Sequence, residues 1–284
     1  MLVVVGVTGK VGSRVAAKAA AKGMEVRGVA RNPQAFSGEG VELAVADLTD
    51  RSAAAEVIKG ATSVYLTPPE PGDDPLGMEK AVIDSVLTAV EGAEIDHLVM
   101  HTLVYGDRGD TGARILDAKY PIEDRIRKSG VPYTILAPGW FLQNLFGAKQ
   151  YLEQGMFSMP WPEDRPWAAT NIEDIAEAAI AFLERGPANQ RFDLHLEGGL
   201  TCAQVCQVAS NVLGRPVQFQ EFTGPTREFV EPFPLTAPQK DLFAELFDYF
   251  RAHEYLGEPE AIKQALPGFR YTTVEEFLQN ELFA

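Results

Sequence analysis

Residues 2–12, LVVVGVTGKVG, decide the fold. The apolar, β-branched run 2–7 has the composition of a strand buried on both faces. It leads through Gly6, Gly9 and Gly12 into the Ala-rich stretch 11–23, which predicts a helix with a glycine stop. In that order, strand, loop and helix make an anion cradle. The glycines permit a tight turn and let a pyrophosphate approach the backbone N–H groups of a helix N-terminus. The spacing is GxxGxxG, shifted by one from the commoner GxGxxG. Gly6, Thr8, Gly9, Lys10, Val11 and Gly12 are therefore expected to contact a dinucleotide.

Working outward, short β-branched runs alternate with helical stretches. Strands are predicted at 25–30, 41–47, 63–69, 97–103 and 132–139, and helices at 51–60, 77–93 and 118–130. Apolar strands alternating with helices predict an α/β fold, a doubly wound parallel sheet of the Rossmann type. After Gly139 the pattern loosens into an aromatic, proline-punctuated segment, followed by a helix at 171–186 and a strand at 191–198. The expected organisation is a Rossmann domain over 1–150, to which 171–198 returns, and a smaller, mostly helical substrate lobe over 151–284.

The 284 residues carry a net charge of -15, with the acidic side chains spread along the chain. Such a field repels polyanions, so nucleic acid is not an expected partner. Cys202 and Cys206 lie on one helical face and read as small buried side chains, and the four histidines are scattered, so no metal site is predicted. No charged segment precedes the first apolar run, which is too short to span a bilayer; a cytoplasmic protein without membrane association is expected.

The second strand bears on cofactor choice. An NAD-preferring site ends it with an acid that grips the ribose 2′-hydroxyl. Here it ends Ala30-Arg31-Asn32, and a guanidinium at that place suits a 2′-phosphate. Lys10 adds a second charge, so NADPH is the expected cofactor. Asp47, with Leu48 after it, ends the third strand; it either accepts from the adenine amino group or caps the following helix.

Together GVTGKVG, VRGVARNP, VADLTD, KSGVPYTILAPGWFLQN and ATNIEDIAEAAIAFL resemble the NmrA-like branch of the atypical short-chain dehydrogenase/reductases, over roughly residues 1–220. The resemblance implies a Rossmann fold with a small C-terminal lobe and NADPH preference. The branch holds NADPH-dependent quinone, dye and phenylpropanoid reductases, and also redox sensors that bind the dinucleotide without turning it over. Two departures stand out. The family's frequent LRPG reads LAPG, with Ala137, and Ile115 occupies the place four before Lys119 where the Tyr-x-x-x-Lys pair of classical short-chain dehydrogenases would put its tyrosine.

The resemblance points to Lys119 as a group that holds the cofactor or protonates an oxyanion. The other reading pairs it with Glu123 as an exposed i,i+4 contact. Thr102 is a candidate donor to a substrate carbonyl, or a strand-end threonine bonded to backbone. Thr67 and Pro68 are expected beside the cofactor, and Pro138, Gly139, Trp140, Phe141 and Asn144 along the nicotinamide side. Tyr105 and Trp161 join Trp140, Phe141 and Asn144 as the expected substrate pocket; the aromatic cluster at 140–167 either takes a flat apolar ligand or forms core between the lobes. The expected activity is hydride transfer from NADPH to a quinone, enone or polycyclic aromatic, with secondary-metabolite tailoring as one setting. The alternative is a non-catalytic NADP(H) sensor. A small planar aromatic or quinone is the expected partner, with a homodimer as one assembly to be considered.

Overall fold

A computed structural model describes residues 1–32, 36, 38–67 and 73–284. The first half runs β1 (Leu2–Val5), α1 (Lys10–Ala21), β2 (Val26–Ala30), β3 (Val41–Val45), α2 (Arg51–Ile58), β4 (Ser63–Leu66), α3 (Pro75–Glu91), β5 (His97–His101), α4 (Arg114–Asp117), α5 (Tyr120–Lys128) and β6 (Tyr133–Pro138). Then come β7 (Trp140–Phe141), a 3-10 helix (Leu142–Ala148), α6 (Lys149–Glu153), β8 (Met156–Met159), β9 (Ala169–Thr170), α7 (Ile172–Arg185) and β10 (Gln190–Leu194). The remainder is α8 (Cys202–Leu213), β11 (Gln218–Glu221), α9 (Thr226–Phe229), α10 (Ala237–Ala252), α11 (Glu260–Ala265) and α12 (Val274–Phe277).

Seven parallel strands form the central sheet in the order β10-β6-β5-β4-β1-β2-β3. The order reverses between β1 and β4, and such a switch point opens a crevice at the carboxyl ends of the strands. Register aims the side chains there. Val5 pairs with Val29 and Leu66, and Leu66 pairs with Met100, so Gly6, Ala30, Thr67 and His101 follow one another along that edge.

Helices cover both faces. On one, α1 and α7 pack over β1, β2 and β10 through Val11, Val15, Ile175, Ala179 and Phe192. Ion pairs Arg14–Glu173 and Lys22–Glu184 stitch the two helices at their solvent side. On the other face, α2, α3 and α5 contribute Ala54, Ile58, Ile83, Val86 and Ile126. A third core, built on Phe157, Trp161, Trp167, Phe247 and Phe250, lies between the strand ends and the tail. Cys202 and Cys206 are buried in that core on α8. The segment after Gly139 holds two small parallel pairs, β7–β9 and β8–β11, as well as helices. Among the described residues no helix is long and apolar enough to cross a membrane.

Candidate functional site

A cleft of about 800 Å³ follows the carboxyl edge of the sheet from the glycine loop to α10. At its first end Gly6 turns the chain with φ of +81°, the left-handed region that favours glycine, and its carbonyl accepts from Gly9 N at 2.9 Å. A Cβ on Gly12 would run into that same carbonyl, so Gly12 supports the loop from behind and does not line the cleft. A Cβ on Gly9 would meet only the Gly6 oxygen, at 3.2 Å, and otherwise open space. Thr8, Gly9, Lys10 and Val11 line the cleft, and the first turn of α1 carries no acid against its positive end. Val7 fits because Gly28 opposite it has no side chain: a Cβ there would lie 2.7 Å from Val7 Cγ2.

Arg31, Asp47 and Leu48 line the next stretch, Arg31 and Asp47 exposed and Leu48 buried. Asp47 does not cap the following helix. Asp50 does, accepting from Ser52 N and Ala53 N, while Asp47 Oδ1 accepts from Thr49 N at 3.0 Å and Thr49 Oγ1 at 2.8 Å. The Thr49 N–H, then its hydroxyl, hold the Asp47 carboxyl below its usual range, and the charge of Arg31 adds to this. Thr67 also lines the cleft, with its buried hydroxyl beside the Tyr65 phenol. Pro68 lies outside the described residues.

Lys119, just before α5, stands at the middle of the cleft and is 4% exposed. The exposed Lys119–Glu123 pair expected from spacing does not form. Lys119 Nζ pairs with Glu79 of α3, which also lines the cleft, because the helix start faces the sheet edge and not solvent. Glu123 is fully buried and is held by Arg127 at 2.5 Å and by Arg191 of β10 at 3.2 Å. Burial pushes its carboxyl up from the usual range, against the pull of Arg191. Thr102 lines the cleft but donates its hydroxyl proton to Glu123 Oε1 at 2.8 Å. It is therefore neither the expected donor to a substrate carbonyl nor a threonine bonded only to backbone.

Gly139, Trp140, Phe141 and Asn144 line the far end, where β6 runs on into β7. Gly139 must be glycine, because a Cβ would collide with the Ala168 backbone carbonyl of the neighbouring segment. Pro138 is buried in β6 behind this wall, its carbonyl accepting from Val104 N at 3.1 Å. Two expected pocket residues belong elsewhere. Tyr105 lies under the Arg108 guanidinium with φ of +66°, and its hydroxyl donates to Glu254 O and accepts from Leu256 N. Trp161 is 1% exposed and packs edge-on against Trp167, Phe247 and Phe250 in the third core. The opposite wall comes instead from α10, with Gln239, Leu242, Phe243, Leu246 and Phe250, and from Tyr255 after it. Their three- and four-residue spacing puts the α10 side chains on one helical face, a pattern present in the sequence but hidden among tail prolines. His101, passed over as one of four scattered histidines, also faces the cleft.

The chain is 31% identical over 231 residues to an NAD(P)H azoreductase from Xenophilus azovorans, covering 78% of this chain and 77% of that protein. It is 29% identical over 227 residues to a (4-alkanoyl-5-oxo-2,5-dihydrofuran-3-yl)methyl phosphate reductase from Streptomyces griseus, with 78% and 77% covered. An NADPH-dependent quinone oxidoreductase from Escherichia coli, solved with NADPH, superposes with a TM-score of 0.84 at 22% identity over 100% of both chains. The triphenylmethane reductase of Citrobacter superposes with a TM-score of 0.85 at 18% identity, over 98% of this chain and 99% of that one; these two likenesses establish the fold. The family profile itself matches residues 1–278, and the chain belongs to the NmrA-like family.

Proposed function

We propose that the protein is an NADPH-dependent reductase of a neutral, planar, conjugated acceptor such as a quinone, an enone or a polycyclic aromatic. The observation that carries this reading is the continuity of one cleft. It joins a glycine loop at a helix N-terminus to an aromatic, aliphatic wall, with a buried lysine between them. NADPH, when bound, supplies the hydride.

The residues present fit that cofactor. Gly6 and Gly12 set the turn, the open side of Gly9 leaves room for a pyrophosphate, and Thr8, Lys10 and Val11 border it. Arg31, standing where an acid would favour NADH, would hold a 2′-phosphate, and Asp47 with Leu48 would border the adenine. Thr67 and Gly139 would complete the cofactor's side. Trp140, Phe141, Leu246 and Phe250 would exclude water and flank a flat acceptor. Lys119, kept in place by Glu79, holds a proton at Nζ within this dry wall, where it can neutralise an oxyanion developing on the acceptor. The names of the relatives, reductases of azo, quinone and furanone compounds, support the class.

The test is NADPH oxidation followed across a panel of quinones, enones and polycyclic aromatics, with NADPH affinity measured in parallel. Turnover of at least one class is expected. Tight NADPH binding with no turnover across the panel would reject the enzyme and leave a sensor.

A further inference from the structure

The arrangement at the end of β5 supplies a donor where the tyrosine of the classical short-chain dehydrogenases is missing. Ile115, an apolar residue lining the cleft, stands where a tyrosine would precede Lys119 by four. The hydroxyl protons near this end are otherwise engaged: Thr102 donates to Glu123, Tyr105 to Glu254 O, and Tyr255 to Val104 O. His101 remains. We propose that His101, its Nδ1 occupied by Tyr65, donates Nε2–H to the carbonyl oxygen of the acceptor, with Tyr65 as the positioning residue. The inference rests on the reductase reading and names the acceptor as a carbonyl compound, a quinone or an enone.

Three of the four histidines are excluded by their contacts. His97 Nε2 lies 2.8 Å from Thr134 Oγ1 inside the sheet. His195 bonds Leu196 O through Nδ1 and accepts from Gly257 N through Nε2. His253 stacks on Tyr249 at the surface. His101 alone lines the cleft; it is 5% exposed and its ring meets Phe141 at 6.0 Å and 62°.

The tautomer follows from Tyr65. That side chain is 0% exposed, and its hydroxyl lies 3.4 Å from His101 Nδ1. A phenol in dry protein gives its proton to an acceptor, so Nδ1 accepts and the ring proton sits on Nε2. Burial, helped by the charge of Lys119, pulls the imidazole down to about 3, so the ring is neutral at working pH. A neutral ring donates a hydrogen bond and keeps its proton, which leaves proton transfer to Lys119. With NADPH bound, a hydride and its pair delivered to the conjugated carbon would push the C=C π pair into the adjoining C–C bond and the carbonyl π pair onto oxygen, under the Nε2–H bond. That oxygen would then take a proton from Lys119 as the Nζ–H bond breaks.

The test compares His101→Phe, His101→Gln and Tyr65→Phe for NADPH affinity and for kcat and KM with a quinone. His101→Phe should lower kcat by about 10²-fold with NADPH affinity nearly unchanged. His101→Gln, which keeps an amide donor, should recover roughly tenfold of that loss, and Tyr65→Phe should lower kcat several-fold without raising the KM for NADPH. Equal rates for His101→Phe and wild type, or for the Phe and Gln variants, would overturn the proposal. If His101→Phe fails to fold, the other two variants decide: a kcat about tenfold below wild type in His101→Gln together with a slowed Tyr65→Phe supports the donor, and wild-type kcat in either variant overturns it. Should wild type bind NADPH yet turn over no carbonyl compound, affinity of the quinone for the NADP⁺ complex is read instead. A tenfold weakening in His101→Phe then supports the contact while the reductase reading fails, and equal affinities reject both.

Discussion

Lys119 and Glu79 form an ion pair in the cleft wall in which the two side chains are only 5% and 8% exposed, brought together from the start of α5 and the second turn of α3. A pair so buried depends on both members, because removing one strands the other charge without water. Lys119→Met should therefore lose about 3–5 kcal/mol of stability, and turnover should fall by roughly 10²–10⁴-fold. Adding Glu79→Gln removes the stranded carboxylate and should restore most of the stability with none of the rate. Chemical denaturation and NADPH oxidation on the single and double variants separate the two effects. Recovery of rate in the double variant would make Lys119 a structural residue.

Cofactor choice is expected to sit on Arg31. Its guanidinium is exposed at the cleft border beside Asp47, which can offset part of its charge. Arg31→Ala should weaken NADPH by about 1–3 kcal/mol and leave NADH nearly unchanged. Titration of both cofactors into both proteins measures this, and equal wild-type affinities would remove the assignment.

Gly9 and Gly12 should fail in different ways. Gly9→Val places its side chain in the open cleft and should abolish NADPH binding while the thermal transition stays close to wild type. Gly12→Ala drives a methyl into the Gly6 carbonyl and should lower the melting temperature itself. Normal NADPH affinity in a folded Gly9→Val variant would move the phosphate site elsewhere.

Asp174 sets a pH dependence of stability. Its carboxylate, 4% exposed, accepts from Thr272 N at 2.8 Å and Thr272 Oγ1 at 2.6 Å. Burial first, with smaller contributions from Glu177 and Glu281, raises it from 3.8 to about 6 against the Thr272 hydrogen bonds. The folded state thus holds this proton more tightly than the unfolded chain. The stabilisation is fully present below the unfolded value and is lost as pH rises through about 6. Asp174→Asn keeps an acceptor for Thr272 N and lets the hydroxyl accept instead. It should raise stability at pH 7–8 by about 1–2 kcal/mol and flatten the profile between pH 4 and 7. Denaturation across that range checks the sign; a variant less stable at every pH would reject it.

The sheet was legible because its signals are local. An apolar strand, a glycine turn and a helix occupy consecutive residues, and β-branched runs mark the other strands. What escaped depends on direction and on distant partners. Glu79 and Lys119 are 40 positions apart, so the true partner of the lysine is visible only once α3 and α5 are laid beside the same edge. The aromatic segment was legible as apolar but not as wall or core. Trp140 and Trp161 are alike in composition, yet only the former reaches the cleft, while the latter turns into Phe247 and Phe250. Tyr105 escaped because a positive φ at a non-glycine residue has no sequence signature.

The single face of α10 that closes the cleft has a practical meaning for how such proteins diversify. Leu242, Phe243 and Leu246 lie within five consecutive positions on a helix with its own capping box, far along the chain from the glycine loop. The shape of the far wall is thereby encoded separately from the anion cradle. A library confined to those three positions can reshape what fits against Trp140 while every residue that borders Gly9 stays as it is.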